Sequence, residues 1–395
     1  MYKVPATLFV LILAFTTAAQ KSIKGRVTDE GTGLPVANAN IFINKTSKGT
    51  TTNVEGFFKL SDIPDGKYEL VISCIGFQTQ VVIFNEDSLP MELKIDLHIK
   101  VKELENVTVE TFVEGDWKRW GEAFTENFIG NTDNAARCKI VNKEAIRFKY
   151  YKESDRLSAS SNVPLLIENN ALGYKIIFQL EEFEVNFKQQ SLLFAGYELM
   201  EDMSKNNEVP ERWKRKRLES YQGSLMHFMR SLYNNQLQQE GFNVKRISIL
   251  PNMEKARVKK ILSAYSSSKK KLPKDSMNYY SLALKQDDSL TIYGEHPLTS
   301  DSLLRNFDKS GRLLSFNGYL SVTYNGGENY ITISNFSIKQ TQERSAMIEM
   351  QKGAIITIYV NGSYYNQRDL ILSDYLSESR KIANHLPLDY TVQKK

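Results

Sequence analysis

The sequence predicts a mainly β protein with some α: an N-terminal β-sandwich, then a larger α+β, β-rich body containing one long amphipathic helix. Three observations predict it. Residues 23–109 read as short strands cut by turn residues at close, regular intervals, which is the pattern of a sandwich. Strand-like runs resume after residue 138 and again after residue 318, and between them residues 210–241 repeat apolar side chains every three or four positions. Tyr and Phe, at 20 each, favour pleated surfaces. A chain of 395 residues is two to four times the usual domain size, so two or three cores are expected, and 41% hydrophobic residues suffice to fill them.

The N-terminus has the form of a signal peptide. Lys3 precedes the apolar stretch 8–15, and Thr16-Thr17-Ala18-Ala19-Gln20 follows it. The apolar run is shorter than the roughly 20 residues a transmembrane helix needs. Residues 1–19 are therefore expected to be removed and the mature chain to start at Gln20, with no Cys there to take a lipid. No later segment is apolar enough to span a bilayer as a helix. Export permits disulfides. The two cysteines, Cys74 and Cys138, are read instead as small buried hydrophobes, since Cys74 continues the phase of Leu70 and Ile72 on a strand. Whether they pair depends on their separation.

Within residues 20–110, strands are expected at 23–27, 39–44, 49–53, 57–60, 68–75 and 80–84. The turn Ile63-Pro64-Asp65-Gly66 separates two of them, because Pro64 presets φ and Gly66 tolerates a positive one. The residues Gly25-Arg26-Val27, Asp29, Thr32-Gly33-Leu34-Pro35, Ala39-Asn40-Ile41, Gly49-Thr50, Asn53, Gly56-Phe57-Phe58, Ile63-Pro64, Gly66, Tyr68 and Gly76-Phe77 closely resemble the carboxypeptidase regulatory-like domain. That resemblance implies a transthyretin-like (prealbumin-like) β-sandwich. The family stands beside the catalytic domain of certain zinc carboxypeptidases and at the N-terminus of many TonB-dependent outer-membrane transporters. It implies an accessory module without catalytic residues. Cys74 stands where the family has an aromatic residue or Ser.

The body is expected as an α+β domain over 111–265 and a β-rich domain over 276–395, the two able to form one unit. A helix starts at Trp117-Lys118-Arg119-Trp120, runs through Phe124 to Phe128 and ends at Gly130. The two tryptophans suit either a ligand platform or, as is commoner at this spacing, a core face. Strands are expected at 139–142, 145–150, 156–160, 165–168, 174–180 and 190–197, with a turn at 168–171. The long helix 210–241 has Pro210 in its first turn and Gly241 at its end, and buries Leu218, Tyr221, Leu225, Phe228, Met229 and Leu232. Its stretch 221–242 loosely resembles a segment of other regulatory-domain-bearing envelope proteins, some with a C-terminal barrel, and that resemblance implies no role. The polar, Lys-rich segment 266–275 reads as a linker or long loop. Hairpins are expected at Asn325-Gly326-Gly327, between strands 319–324 and 330–338, and at Asn361-Gly362 after strand 354–360. A last helix covers 373–384. An array of roughly ten-residue lipid-facing strands, as an outer-membrane barrel needs, is not expected, since the few candidates carry polar residues on both faces.

The sequence assigns no catalytic, cofactor-binding or metal-binding residue. His98, His227, His296 and His385 lack the spacings of zinc peptidases, and neither Gly-x-Ser-x-Gly nor a phosphate-binding Gly-rich loop occurs. Ser266-Ser267-Ser268-Lys269 satisfies Ser-x-x-Lys inside a Ser/Lys run, where composition explains it. Ser220, Ser224, His227 and Ser231 share a helix face, but no nearby carboxylate orients the imidazole. The net charge of +5 is small, and the runs Arg212-Trp213-Lys214-Arg215-Lys216-Arg217 and Lys269-Lys270-Lys271 read as a solvated helix face and a basic loop rather than a nucleic-acid site. The expectation is an exported, non-catalytic binding or assembly protein of a Gram-negative envelope, periplasmic or outer-membrane-associated. Its partner would be an envelope protein or a glycan, not nucleic acid. A hydrolase acting on glycan or peptide is the alternative, and a surface-binding role for the basic middle segment a third.

Overall fold

The computed structural model describes residues 21–100, 110–206, 208–268, 274–307, 310–326, 328–333, 336–341 and 343–392. The signal peptide expected over 1–19, the cleavage point at Gln20 and the Lys269-Lys270-Lys271 run lie outside the described residues. The chain forms two compact units. Among the described residues, the first comprises 21–43, 48–65 and 69–100, and the second 44–47, 66–68 and those from 110 on.

The first unit holds β1 (Ser22–Asp29), β2 (Asn40–Ile43), β3 (Gly49–Thr51), β4 (Phe57–Ser61), β5 (Lys67–Ser73), β6 (Gln80–Asn85) and β7 (Met91–Leu97). They make two sheets, ordered β4-β1-β7 and β3-β2-β5-β6. Every second residue of β1 turns inward, burying Ile23 and Val27. Gly56 takes a φ of +80°, and a Cβ there would meet the Val27 carbonyl at 2.4 Å, so the turn into β4 needs glycine. Cys74 is not a core residue: β5 ends at Ser73, the Phe77 amide closes a turn on the Cys74 carbonyl, and the thiol is partly exposed. Both cysteines are free.

The second unit begins with a seven-stranded sheet: β8 (Phe112–Gly115), β9 (Cys138–Ile140), β10 (Ile146–Tyr151), β11 (Arg156–Ser161), β12 (Leu165–Asn169), β13 (Tyr174–Asn186) and β14 (Ser191–Asp202). All pairings are antiparallel, in the order β8-β10-β11-β13-β12-β9, with β14 added along β13. Against it lies α1 (Trp117–Phe128), whose first turn is capped by Asp116 accepting from the Arg119 amide at 3.1 Å. Phe124 and Phe128 are fully buried against Phe148, Phe178 and Phe183. Trp117 packs edge-on to Phe124, and Trp120 lies over Tyr150, so both belong to this aromatic core.

The segment expected as one helix over 210–241 is two: α2 (Glu211–Tyr221) and α3 (Leu225–Tyr233), separated at Gln222, Gly223 and Ser224. Gly223 adopts a φ of +75°, which continues no right-handed helix, and Ser224 caps α3 by accepting from the His227 amide. Then come β15 (Phe242–Pro251), α4 (Met253–Ser268), α5 (Lys274–Lys285), β16 (Ser289–Tyr293), α6 (Ser300–Leu303), β17 (Leu304–Asn306), β18 (Gly311–Leu314) and β19 (Tyr319–Tyr324). The chain closes with β20 (Glu328–Ile333), β21 (Phe336–Thr341), β22 (Arg344–Met350), β23 (Ile356–Tyr359), β24 (Tyr364–Tyr365), β25 (Leu370–Leu372) and α7 (Asp374–Glu378).

A five-stranded sheet runs β16-β15-β19-β22-β25, and a smaller one β17-β18-β23-β24. Leu225, Phe228, Met229 and Leu232 of α3 fill a second core with Phe242, Val322, Ile348 and Ile356. The segment 266–275 does not separate two domains as a linker, because β15 pairs with β19 across it, and its two ends are helical, α4 reaching Ser268 and α5 starting at Lys274. Asn325-Gly326-Gly327 does not turn one strand back on the next. β19 pairs with β15 and β22, while β20 and β21, which overlap both ends of the 330–338 stretch expected as one strand, pair with each other. The last helix also stops early. Lys381 turns extended (φ −76°, ψ 143°), and this inserts Ile382, Ala383 and Leu386 into the first core. Among the described residues, no helix is long and apolar enough to cross a membrane.

Candidate functional site

The break between α2 and α3 organises the chemistry of the second unit. A Cβ on Gly223 would lie 2.7 Å from the Tyr324 ring and 2.9 Å from the Arg344 guanidinium, so only glycine lets these groups close on the chain. Arg344 donates to the Gln222 carbonyl at 2.9 Å and lies over the rings of Tyr324 and Tyr375. The turn is thereby held from outside the helices, and a cleft opens on each side of it.

The larger cleft, of about 510 Å³, is lined by amides, hydroxyls and charges from residues 132–134, 216–224, 344 and 375–384. Asn134 ties its walls together, donating to Ser220 Oγ and to Asn384 Oδ1, each at 2.9 Å, while Asn384 donates to the Glu378 carbonyl at 3.0 Å. Ser379 Oγ accepts from the Leu225 amide at 3.1 Å and donates to the Leu376 carbonyl at 2.7 Å. Glu378, a lining residue, has one carboxylate oxygen, Oε2, that is buried and takes no hydrogen bond from the described residues. A buried carboxylate oxygen of this kind calls for a donor. Three carboxylates line the cleft, Asp133, Glu219 and Glu378, and Glu219 is already paired with Lys216 at 2.6 Å.

The smaller cleft, of about 280 Å³, contains Tyr221, His227, Glu240 and Tyr324. His227 does have a carboxylate partner, Glu240, 13 positions along and off the local helix face, at 3.1 Å from Nε2. Its Nδ1 accepts from the Gly223 amide at 3.1 Å. Burial holds the His227 pKa below its ordinary value although Glu240 pulls the other way, so the ring is neutral at pH 7. The hydroxyls expected beside it are all used structurally. Ser231 donates to the His227 carbonyl at 2.8 Å, Ser224 caps α3 and Ser220 bonds Asn134. With both ring nitrogens occupied and no hydroxyl on them, His227 does not form a nucleophile–base pair.

The basic run 212–217 is not simply a solvated face. Arg217 is buried and donates to the carbonyls of Leu172 (2.7 Å) and Gly173 (3.1 Å) and to Asp202 (2.8 Å), while Trp213 is buried and donates to the Asn170 carbonyl. Lys214 and Lys216 pair with Glu211 and Glu219. Of the other histidines, His98 bonds Glu30, His296 is exposed beside Glu295, and His385 bonds Glu198. Among the described residues, no group of three or more His, Cys, Asp or Glu could hold a metal ion.

Residues 23–109 match the family model of the CarboxypepD_reg-like domain, the last nine lying outside the described residues. The chain opens with a CarboxypepD_reg-like domain. Beyond that domain family, the chain is 28% identical over 100 residues to TonB-dependent receptor P3 of Formosa agariphila, covering 25% of this chain and 10% of the receptor. It is 30% identical over 146 residues to TonB-dependent receptor P39 of the same organism, covering 35% and 13%. The matched region thus spans about a tenth of each receptor's length. Among solved structures, a candidate carbohydrate binding protein from Bacteroides uniformis aligns at 12% identity over 48% of this chain and 82% of its own, with a TM-score of 0.15. A candidate membrane-associated protein of unknown function from Bacteroides fragilis aligns at 10% over 88% and 99%, with a TM-score of 0.16. At such scores neither likeness carries an argument about the CarboxypepD_reg-like domain or the body behind it.

Proposed function

We propose that the chain is an exported, non-catalytic binding and assembly protein of the Gram-negative envelope. The CarboxypepD_reg-like domain serves as its accessory docking module, and the larger cleft of the second unit takes a hydroxyl-rich ligand, a glycan. The observation that carries the reading is the lining of that cleft, where the amides of Asn134, Gln222 and Asn384 stand with the hydroxyls of Ser220, Ser224 and Ser379. Sugar hydroxyls both donate and accept, and such a lining meets both needs. Placement in the envelope is supported by the N-terminal segment with the form of a signal peptide and by the matched region in two TonB-dependent receptors.

Calorimetric titration with envelope polysaccharide fragments tests the reading. Glu378→Gln turns one acceptor oxygen into a donor and is expected to weaken binding about tenfold or more, the effect of losing roughly 1.4 kcal/mol. No binding by the parent chain, or equal binding by the variant, would remove the cleft from consideration. The three carboxylates in the cleft favour a second reading, a glycan hydrolase, because two suitably spaced carboxylates suffice for that chemistry. Release of reducing ends by the parent chain, abolished in Glu219→Gln or Glu378→Gln, would replace binding with hydrolysis.

A further inference from the structure

The strand β15 pairs with β19 only from Phe242 to Ile247, and its remainder, up to Pro251, pairs with β16 alone. A two-stranded ribbon therefore continues past β19 and ends in the helical hairpin α4–α5. Asn252 fixes the base of this arm. Buried, it donates from Nδ2 to Gln286 Oε1 (3.2 Å) and the Asp287 carbonyl (3.1 Å), and its Oδ1 accepts from the Lys255 amide at the start of α4.

Along the arm the ordinary rule of burial is reversed. Directly paired residues share a face of a ribbon, so Leu250, Leu290 and Ile292 lie on one side and Ile249 and Tyr293 on the other. These five, with Met253, Met277 and Leu282 of the hairpin, are 41% to 72% exposed. Apolar exposure this dense marks an interaction surface. Charge indicates what it meets. The described residues 253–268 and 274–293 hold six basic against four acidic residues. Lys260 and Lys285 on the hairpin make no ion pair among the described residues. A flat protein surface or a second copy would cover one side of the ribbon, whereas a lipid interface surrounds both sides of a finger that dips into it and supplies anionic headgroups for the cations.

We propose that the arm formed by β15, α4, α5 and β16 docks the protein on an anionic lipid surface. Its apolar side chains enter the interface, and its lysines meet the headgroup phosphates. Vesicle co-sedimentation tests this with the form that begins at Gln20, which lacks the apolar N-terminal run. The parent is expected to sediment with phosphatidylcholine vesicles containing phosphatidylglycerol and not with phosphatidylcholine alone. The double variant Met277→Gln/Leu282→Gln, at exposed positions, and the double variant Lys260→Glu/Lys285→Glu are each expected to lower binding about tenfold. Unchanged tryptophan fluorescence would confirm that they fold. Failure of the parent to bind the anionic vesicles overturns the proposal, as does binding that neither double variant weakens. Self-association of the parent that Met277→Gln/Leu282→Gln abolishes, without vesicle binding, would assign the arm to a second copy instead.

Discussion

The substitution Glu198→Gln tests the stability of the second unit at one atom. Glu198, on β14, is 1% exposed, and both its oxygens lie on His385 Nδ1, at 3.0 and 3.1 Å. His385 Nε2 lies 2.7 Å from the Arg380 carbonyl, so both ring nitrogens face acceptor oxygens. Burial alone would raise the Glu198 pKa. The charge and hydrogen bond of His385 outweigh it and hold the value below the ordinary 4.5. Breaking a buried pair by neutralising one partner costs about 3–5 kcal/mol, and because the His385 side chain keeps 16% exposure the lower end applies, about 3 kcal/mol at pH 7. The sign of the pH dependence follows from the depressed value. The part of the contribution carried by the Glu198 carboxylate is present above about 4.5 and is lost as pH falls through its folded-state pKa, so parent and variant should converge in acid. Urea unfolding followed by tryptophan fluorescence measures this unit alone, since Trp117, Trp120 and Trp213 all belong to it. A loss under about 1 kcal/mol at pH 7, or a gap between parent and variant that does not close in acid, would refute the role given to this buried Glu198–His385 contact.

Two further outcomes are expected. Arg217→Lys should destabilise the same unit by about 3 kcal/mol, because an ammonium cannot reach the Leu172 and Gly173 carbonyls and Asp202 at once as the guanidinium fork does; urea unfolding of the variant measures it, and a loss under about 1 kcal/mol would show that the buried fork is not needed. Burial pushes the Cys138 thiol up to about 12, so at pH 8 it should react with an alkylating agent far more slowly in the native protein than in urea; equal rates, read by mass spectrometry of the Cys138 peptide, would contradict its burial.

Much of this architecture was legible because it rests on local signals. The helix from Trp117 to Phe128 has its limits in the sequence, with Asp116 able to cap its first turn and Gly130 free to take a φ of +104° after its last. The strands of the first unit alternate strongly enough to be found singly. β7 was missed although Met91-Glu92-Leu93-Lys94-Ile95-Asp96-Leu97 alternates equally well; its parallel partner β1 lies far back in the chain. The α2–α3 break was hidden for a different reason. Leu218, Tyr221 and Leu225 keep helical phase straight through it, and the group that pins Gln222 in place, Arg344, comes 122 positions later. Gly223-Ser224 was the local sign, a residue tolerant of positive φ followed by a good cap. The hairpin α4–α5 escaped because its exposed faces carry both lysines and apolar side chains, so no stripe separates core from solvent.

The candidate site was less legible than the fold, and the reason lies in how it is assembled. Its lining comes from four separated stretches, and none contains two residues at a spacing that chemistry requires. Asn134, Ser220 and Asn384 become one network only after the C-terminal segment has turned at Lys381 into the first core. Composition also hides burial. Arg217 and Glu198 look like any other surface charges in the sequence, yet each is nearly inaccessible and each is matched by groups that folding alone brings near: two carbonyls and Asp202 for one, His385 for the other. A charge of that kind is tolerable only when its partners are supplied together. The sequence shows the charge and not the partners, whereas a helix repeat or an alternating strand carries its pattern within a few residues. That difference explains why Glu378, a cleft residue with one buried oxygen that has no partner among the described residues, stands out only in the folded chain.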